Sequence, residues 1–447
     1  WAMLAHAPSL WMDQVVANPR PPLDGDVSVD VAVIGAGFTG LWTAYYLKQL
    51  SRDVRVVVLD ANSVGFGASG RNGGWCMASM AASRSWSDLA GEAAGRRMNE
   101  AIGGMVDEIH GVVTAEGIEC DWARGGSLEL ARNGGQEARL LRHVGGDLRW
   151  LDAAEARELC GATRVLGGLF DPATAAIHPA KLVTGLARAC EAAGVVVHEE
   201  TKATRVTQGV VETTRGTVRA DAIVVATEAY TQSIAGYSRR LVPFYSLMIA
   251  TEQLPRPVLE QVRLETRPTF ADARYRVIYG QRTADDRLAF GSPGPSYRYA
   301  SSIDTKTEQD AAWHERIHAI LLDMFPVLDG MAVTHRWGGV LGVPRNWLPS
   351  IEADPASGIY RPGGYIGEGV GAANLAGRCV AHLIAETGDE VTTLPWIRRR
   401  SRRWPVEPFR WAGIRMGAKL LELADGREQR RDRPAPEAEL VWKVLRR

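Results

Sequence analysis

The first residues with chemical meaning are three glycines and an acid. Gly35, Gly37 and Gly40 follow the apolar run Asp30-Val-Ala-Val-Ile34, and Asp60 closes a second apolar run, Val54 to Leu59. Gly35 permits a tight turn, Gly37 lets backbone approach a pyrophosphate, and Gly40 lets the next helix, from Phe38 through Thr39 to about Gln49, pack on its strand. Asp60 stands where a carboxylate accepts hydrogen bonds from an adenosine ribose. These spacings call for a dinucleotide and suit nicotinamide and flavin forms alike. A second tract, GFGASGRNGG from Gly65 to Gly74, adds small residues and backbone N–H groups, with Arg71 to supply positive charge near the phosphates.

The elements that must position these residues are those of a mixed chain. Leu41, Ala44 and Tyr45 sit at helical spacing after Gly40, with Lys48 an imperfection in the stripe. Ala81 to Cys160 reads as helix-rich. Ile177-His178-Pro179 opens a helix ending at Gly194, followed by strands Val195 to His198 and Ala222 to Thr227. Alternating strands at Phe244 to Thr251, Tyr275 to Gln281 and Arg287 to Gly291 suggest an antiparallel sheet roofing a ligand cavity. One helix is expected over Thr307 to Phe325. Another, Ala372 to Ala385, follows the glycine-rich loop that ends at Gly371.

Length and composition bound the answer. At 447 residues the chain has room for two to three domains, and 46% hydrophobic with 23% charged residues is a globular balance. Net charge is zero, so no global field recruits nucleic acid. The stretch Val391 to Arg447 is basic, with fifteen Arg or Lys against seven Asp or Glu. Its interspersed acids and tryptophans, Trp396, Trp404, Trp411 and Trp442, favour packing on the acidic body or a second subunit over a membrane; Phe409 to Leu423 can form an amphipathic helix. Five scattered cysteines without metal-ligand spacing point to a reducing cytoplasm. No run is long and apolar enough to span a membrane, and Trp1 to Asp26 lacks the order of a signal peptide.

At GFGASGRNGG the chain resembles the D-amino-acid-oxidase-like superfamily of FAD-dependent oxidoreductases, in the branch of gamma-glutamylputrescine oxidases and aminophosphonate oxidoreductases. Further matching segments are Ile177-His178-Pro179, Val224-Val-Ala-Thr227, Asp285 to Gly291, Trp337-Gly-Gly339 and Gly364-Tyr-Ile-Gly-Glu-Gly369. The resemblance implies an α/β fold with an α+β insert: a discontinuous Rossmann-like FAD-binding domain (27–80, 165–235, 335–390) and a substrate domain with a mostly antiparallel sheet (81–164, 236–334). Residues 391–447 are a basic extension. It also implies cofactor contacts at Gly35, Gly37, Phe38, Thr39, Gly40, Asp60, Ala61, Gly67, Ala68, Ser69, Arg71, Asn72, Gly73, Gly74, Arg205, Val206, Thr227, Gly339, Gly364, Gly367, Glu368, Gly369, Val370 and Gly371. The loop Gly364 to Gly371 would aim the following helix's N-terminus at the flavin C2 carbonyl and favour the anionic reduced form.

The chain departs from the family at two positions: Glu368 stands where histidine is frequent, and Glu228 follows Thr227 where glycine is frequent. Sarcosine-oxidase-like relatives attach flavin through a cysteine in the stretch matching Trp337 to Gly363, and dimethylglycine-dehydrogenase-like relatives through an early histidine. This chain has no cysteine in the first and no histidine between Gly65 and Cys76, so the resemblance implies non-covalent FAD. The implied reaction is hydride transfer from an amine, amino acid or aminophosphonate carbon to flavin N5, then imine hydrolysis and reoxidation by O2 to H2O2. A flavin-dependent monooxygenase and a non-catalytic flavin-binding subunit are the alternatives.

Only the neutral amine readily releases hydride, and an apolar pocket lowers its pKa. Tyr279 and Gln281 share a strand face toward substrate, Arg274 is a guanidinium for a substrate oxyanion, Tyr245 and Trp337 form an aromatic wall, and Glu368 binds a cationic amine. His178 reads as a helix cap. His314-Glu315-Arg-Ile-His318 matches a zinc-hydrolase pattern but lacks an identifiable third ligand, so no metal is expected. Oligomeric state stays open.

Overall fold

The computed structural model describes residues 8–82, 84–295, 297–436 and 438; Trp442 lies outside them. Two eight-stranded sheets organise the chain. In the first, Val27–Ile34 lies between the parallel strands Val56–Leu59 and Thr217–Val225, with Val31 opposite Val56 on one side and Ala222 on the other. Val196–His198 and Ile359–Gly363 extend it in parallel, and Ser350–Asp354 pairs antiparallel at an edge. Near-continuous Val, Ile and Ala runs suit strands covered on both faces.

The helix Phe38–Leu50 is buried from Phe38 through Lys48. It is therefore not amphipathic. Helices Pro179–Ala192 and Gly369–Ile384 pack against it, and a Cβ at Gly377 would come within 2.6 Å of the Trp42 Cβ. Lys48 satisfies its ammonium on the carbonyls of Arg52 and Val54, which lets a cation sit on a covered face.

The second sheet runs Val333–Pro344, Leu241–Thr251, Leu288–Pro293, Tyr279–Arg282, Thr269–Asp272, Ser127–Ala131, Gly167–Asp171 and Arg149–Asp152. It is antiparallel except where Thr269–Asp272 meets Ser127–Ala131. Its membership moves two boundaries: Gly167–Asp171 and Val333–Pro344 hydrogen-bond here, not in the first sheet. Two further expectations are corrected. The helix-rich stretch contains the strands Ser127–Ala131 and Arg149–Asp152, and the helix over 307–325 is divided into Thr305–Glu308 and Ala311–Met324 because Asp304 and Asp310 each cap a new start.

Within the basic extension Phe409–Arg431 is a 23-residue helix, anchored to the body through side chains. Glu428 pairs with Arg139 at 2.8 Å, and Ala424 is buried. No helix among the described residues is long and apolar enough to cross a membrane.

Candidate active site

A cavity of about 2420 Å³ opens at the carboxyl ends of the first sheet's strands and continues under the second sheet. Ile34, Gly35, Gly37, Leu59 to Ala61 and Ala226 to Thr227 line its nucleotide end, where open α/β sheets bind ligands. The glycines there have physical reasons. Gly35 adopts φ +108°, and a Cβ on Gly40 would lie 1.9 Å from the Gly35 carbonyl oxygen. Gly40 does not line the cavity; it closes the helix onto the turn, as its position after the strand requires.

Asp60 accepts N–H groups from Ala36 and Asn62, both at 2.8 Å. Burial pushes its carboxyl up to about 6 against the pull of those donors, with nearby Glu199 adding to the rise.

The tract after Gly65 forms a loop fixed from several sides. Asn72 donates to the carbonyls of Ala68 and Ser69 and accepts from Gly74 N. Trp11 donates to Asn72 O, Trp337 to Arg71 O at 3.0 Å, and Gln281 Nε2 to Gly73 O at 2.8 Å. Gly67, Ala68, Ser69, Arg71, Asn72 and Gly73 line the cavity. Arg71 donates to the carbonyls of Phe66 and Gly338 and lies 3.7 Å from the Glu308 carboxylate, so its charge is already partly countered.

On the opposite wall Gly339 and Gly367 through Gly371 line the cavity, and the helix beginning at Gly369 points its N-terminus there. Gly364 lies behind, donating its N–H to Glu228. Phe38, Thr39, Ala61 and Thr227 also line the nucleotide end.

Several expected positions need correction. Gln281 is fully buried off the cavity lining, and its Nε2 donates to Gly73 O, Gly74 O and Ile177 O, so it holds the loop. Gly74 is packed against that amide, where a Cβ would come within 2.0 Å of Gln281 Nε2. Trp337 lies behind the Arg71 backbone, with its ring against Trp11. Arg274 is bound to Asp272 and lies off the cavity; Arg276 lines it instead. Arg205 is a surface residue 4.0 Å from Glu212, and Val206 is in the core beneath the sheet, while Lys202 and Ala203 take their place on the wall.

Tyr245, Tyr279 and Glu368 do line the cavity. Tyr279 Oη and Ser246 Oγ share a 2.5 Å hydrogen bond, and Tyr245 Oη donates to Ser302 O. Glu368 accepts from Ser79 Oγ at 3.0 Å, and burial raises its pKa. Sequence reasoning missed Glu129, which projects from Ser127–Ala131 into the same cavity, its carboxyl pushed up to about 6 chiefly by burial, with Glu368 contributing. A lone acid inside the apolar run Leu128-Glu129-Leu130 was the available signal. Among the described residues no cysteine or histidine lines the cavity. His178 caps the helix Pro179–Ala192 through Lys181 N, and His314 spends a ring nitrogen on Trp337 O.

A glycine cradle, an acid at the ribose position, small loop residues and a helix N-terminus facing one long cavity fit FAD, with Gly35, Gly37, Asp60, Ser69 and Gly369 to Gly371 in position to hold it. Comparisons with known proteins agree. A gamma-glutamylputrescine oxidoreductase of Escherichia coli (strain K12) is 32% identical over 431 residues, covering 91% of this chain and 95% of that protein. The oxidoreductase OrdL of Rhizobium meliloti (strain 1021) is 30% identical over 90% of this chain and 92% of its own. The crystal structure of glycine oxidase from Geobacillus kaustophilus has the same fold, with a TM-score of 0.67 at 21% identity over 83% of this chain and 99% of that one. The family model described as FAD dependent oxidoreductase matches residues 30–383, and the chain belongs to that family.

Proposed function

We propose that the protein oxidises the C–N bond of a small amine, amino acid or aminophosphonate to an imine that water hydrolyses, with O2 as the reoxidant and H2O2 as its product. The observation that carries this reading is the pair of carboxylates, Glu129 and Glu368, facing one largely apolar cavity beside the FAD-binding loops. FAD supplies the two-electron acceptor for hydride leaving the carbon that bears nitrogen.

The side chains do the rest. Glu129 and Glu368 attract the ammonium form, and a Glu129 carboxylate oxygen takes its proton so that the neutral amine can react. Burial makes this exchange favourable, because it disfavours an isolated ammonium and raises the carboxyl toward the working pH. Tyr245 and Tyr279 supply aromatic walls that orient the amine and exclude water. Five buried free cysteines support a cytoplasmic location.

The test is a screen of amines, amino acids and aminophosphonates on the FAD-loaded protein, coupled to peroxide detection and repeated with an artificial acceptor. Anaerobic loss of the oxidised flavin absorbance by one of these classes is expected. Flavin that no amine reduces would overturn the reading.

A further inference from the structure

The family match ends at residue 383, yet one wall of the cavity is built by chain beyond residue 400. The helix Phe409–Arg431 is held at both ends. Glu407, just before it, accepts from Tyr297 Oη at 2.7 Å, Ala300 N at 3.0 Å and Arg410 Nη2 at 2.8 Å. Farther along, Asp425 accepts from Tyr275 N at 2.7 Å and Arg276 N at 3.0 Å. The helix thereby fixes the backbone that carries Arg276.

Arg276 lines the cavity. Its guanidinium donates to Pro293 O at 3.1 Å and stands 4.8 Å from the Trp313 ring centre. Among the described residues no carboxylate stands within ion-pair distance of it; burial lowers its pKa, and the more distant charges of Glu422 and Asp425 oppose that. Arg410 also lines the cavity, but its guanidinium is paired with Glu407 at 2.8 Å. One turn apart on the same helix, Gly413 and Gly417 line the wall, and a Cβ on either would meet nothing within 4 Å. Glycine inside a helix costs about 1 kcal/mol relative to alanine, so room is kept here at some expense to the helix.

A guanidinium on a cavity wall with no carboxylate in hydrogen-bonding contact suits an oxyanion, which it binds through two parallel hydrogen bonds. We propose that Arg276, positioned by the C-terminal helix, forms a subsite for a carboxylate or phosphonate that the substrate carries at the end remote from its amine. This rests on the amine reading above, in which Glu129 and Glu368 take the cationic end.

The experiment uses the full FAD-loaded chain and three probes of equal length: an ω-amino carboxylate, its neutral carboxamide and the matching ω-aminophosphonate. One of the two anions is expected to have a KM at least about tenfold below that of the carboxamide, and whichever is lower identifies the group. Arg276→Gln is expected to raise the KM of that anion by more than it raises the KM of the carboxamide, so that the advantage is lost; Arg276→Lys restores part of it. Titration of the oxidised flavin spectrum with the amine-free carboxylate, phosphonate and amide reads the subsite even if no amine is turned over, so failure of the amine reading is seen separately. Equal KM values for all three probes, equal losses in Arg276→Gln, or equal binding of the amine-free anions and amide would overturn the proposal.

Discussion

The Glu228 carboxylate accepts the Gly364 N–H at 2.6 Å, tying the turn after the strand Thr217–Val225 to the loop that opens the last helix of the first sheet's layer. Its second oxygen accepts Gly342 N, also at 2.6 Å, so three distant segments meet on one buried side chain. Glu228 stands where the family often has glycine, and its φ of 44° is the left-handed conformation that glycine adopts freely. Replacing it with alanine leaves buried N–H donors without acceptors, at roughly 1–3 kcal/mol each. Glu228→Ala is expected to lower the unfolding temperature and the flavin-to-protein absorbance ratio; unchanged flavin content would remove its bracing role.

FAD affinity should depend on pH through Asp60. A ribose hydroxyl donates to the ionised carboxylate, so binding favours the deprotonated form. With the free carboxyl at about 6, affinity is full above that pH and weakens as pH falls through it, by up to about tenfold per unit. Titrating apoprotein with FAD from neutral to acidic pH measures this, and Asp60→Asn should bind more weakly with a flatter profile.

Amine recognition should follow Glu129 and Glu368. Glu129→Gln and Glu368→Gln are each expected to raise the KM for an amine roughly tenfold or more, the scale of a lost charge-assisted hydrogen bond. Because the Glu129 carboxyl is raised to about 6, amine binding in the parent protein should strengthen as pH rises through that value, and Glu129→Gln should lose this dependence. Steady-state kinetics across that pH range decide it.

Gly40→Ala puts a methyl group where the Gly35 carbonyl oxygen lies 1.9 Å away, so the helix must lift from its strand. A loss of several kcal/mol and of FAD retention is expected, since overpacking that displaces backbone exceeds the usual 1–3 kcal/mol. Gln281→Ala, which frees three carbonyls of the loop region, should weaken FAD retention more mildly. Denaturant unfolding and flavin content separate the two variants.

The cofactor should leave with the fold. Among the described residues no cysteine or histidine lines the cavity, so acid precipitation is expected to release yellow colour into the supernatant. Colour retained on the pellet would mean a covalent link through another residue.

The nucleotide half was legible in the chain because its constraints are local. Gly35, Gly37 and Asp60 act through backbone clearance and through their places at strand ends, and those follow from neighbours within a few tens of residues. The substrate half was not, because a side chain's direction depends on partners far away in sequence. Gln281 turned to a glycine loop some 200 residues earlier, Arg274 paired with Asp272, and Trp337 backed Arg71. Glu129 acquired meaning only where its strand, paired in parallel with Thr269–Asp272, brought it to the cavity shared with Glu368. The basic extension was expected to pack on the acidic body or on a second subunit; that its helix Phe409–Arg431 walls the cavity was decided by the anchoring of Asp425 and Glu407, whose partners no sequence spacing reveals.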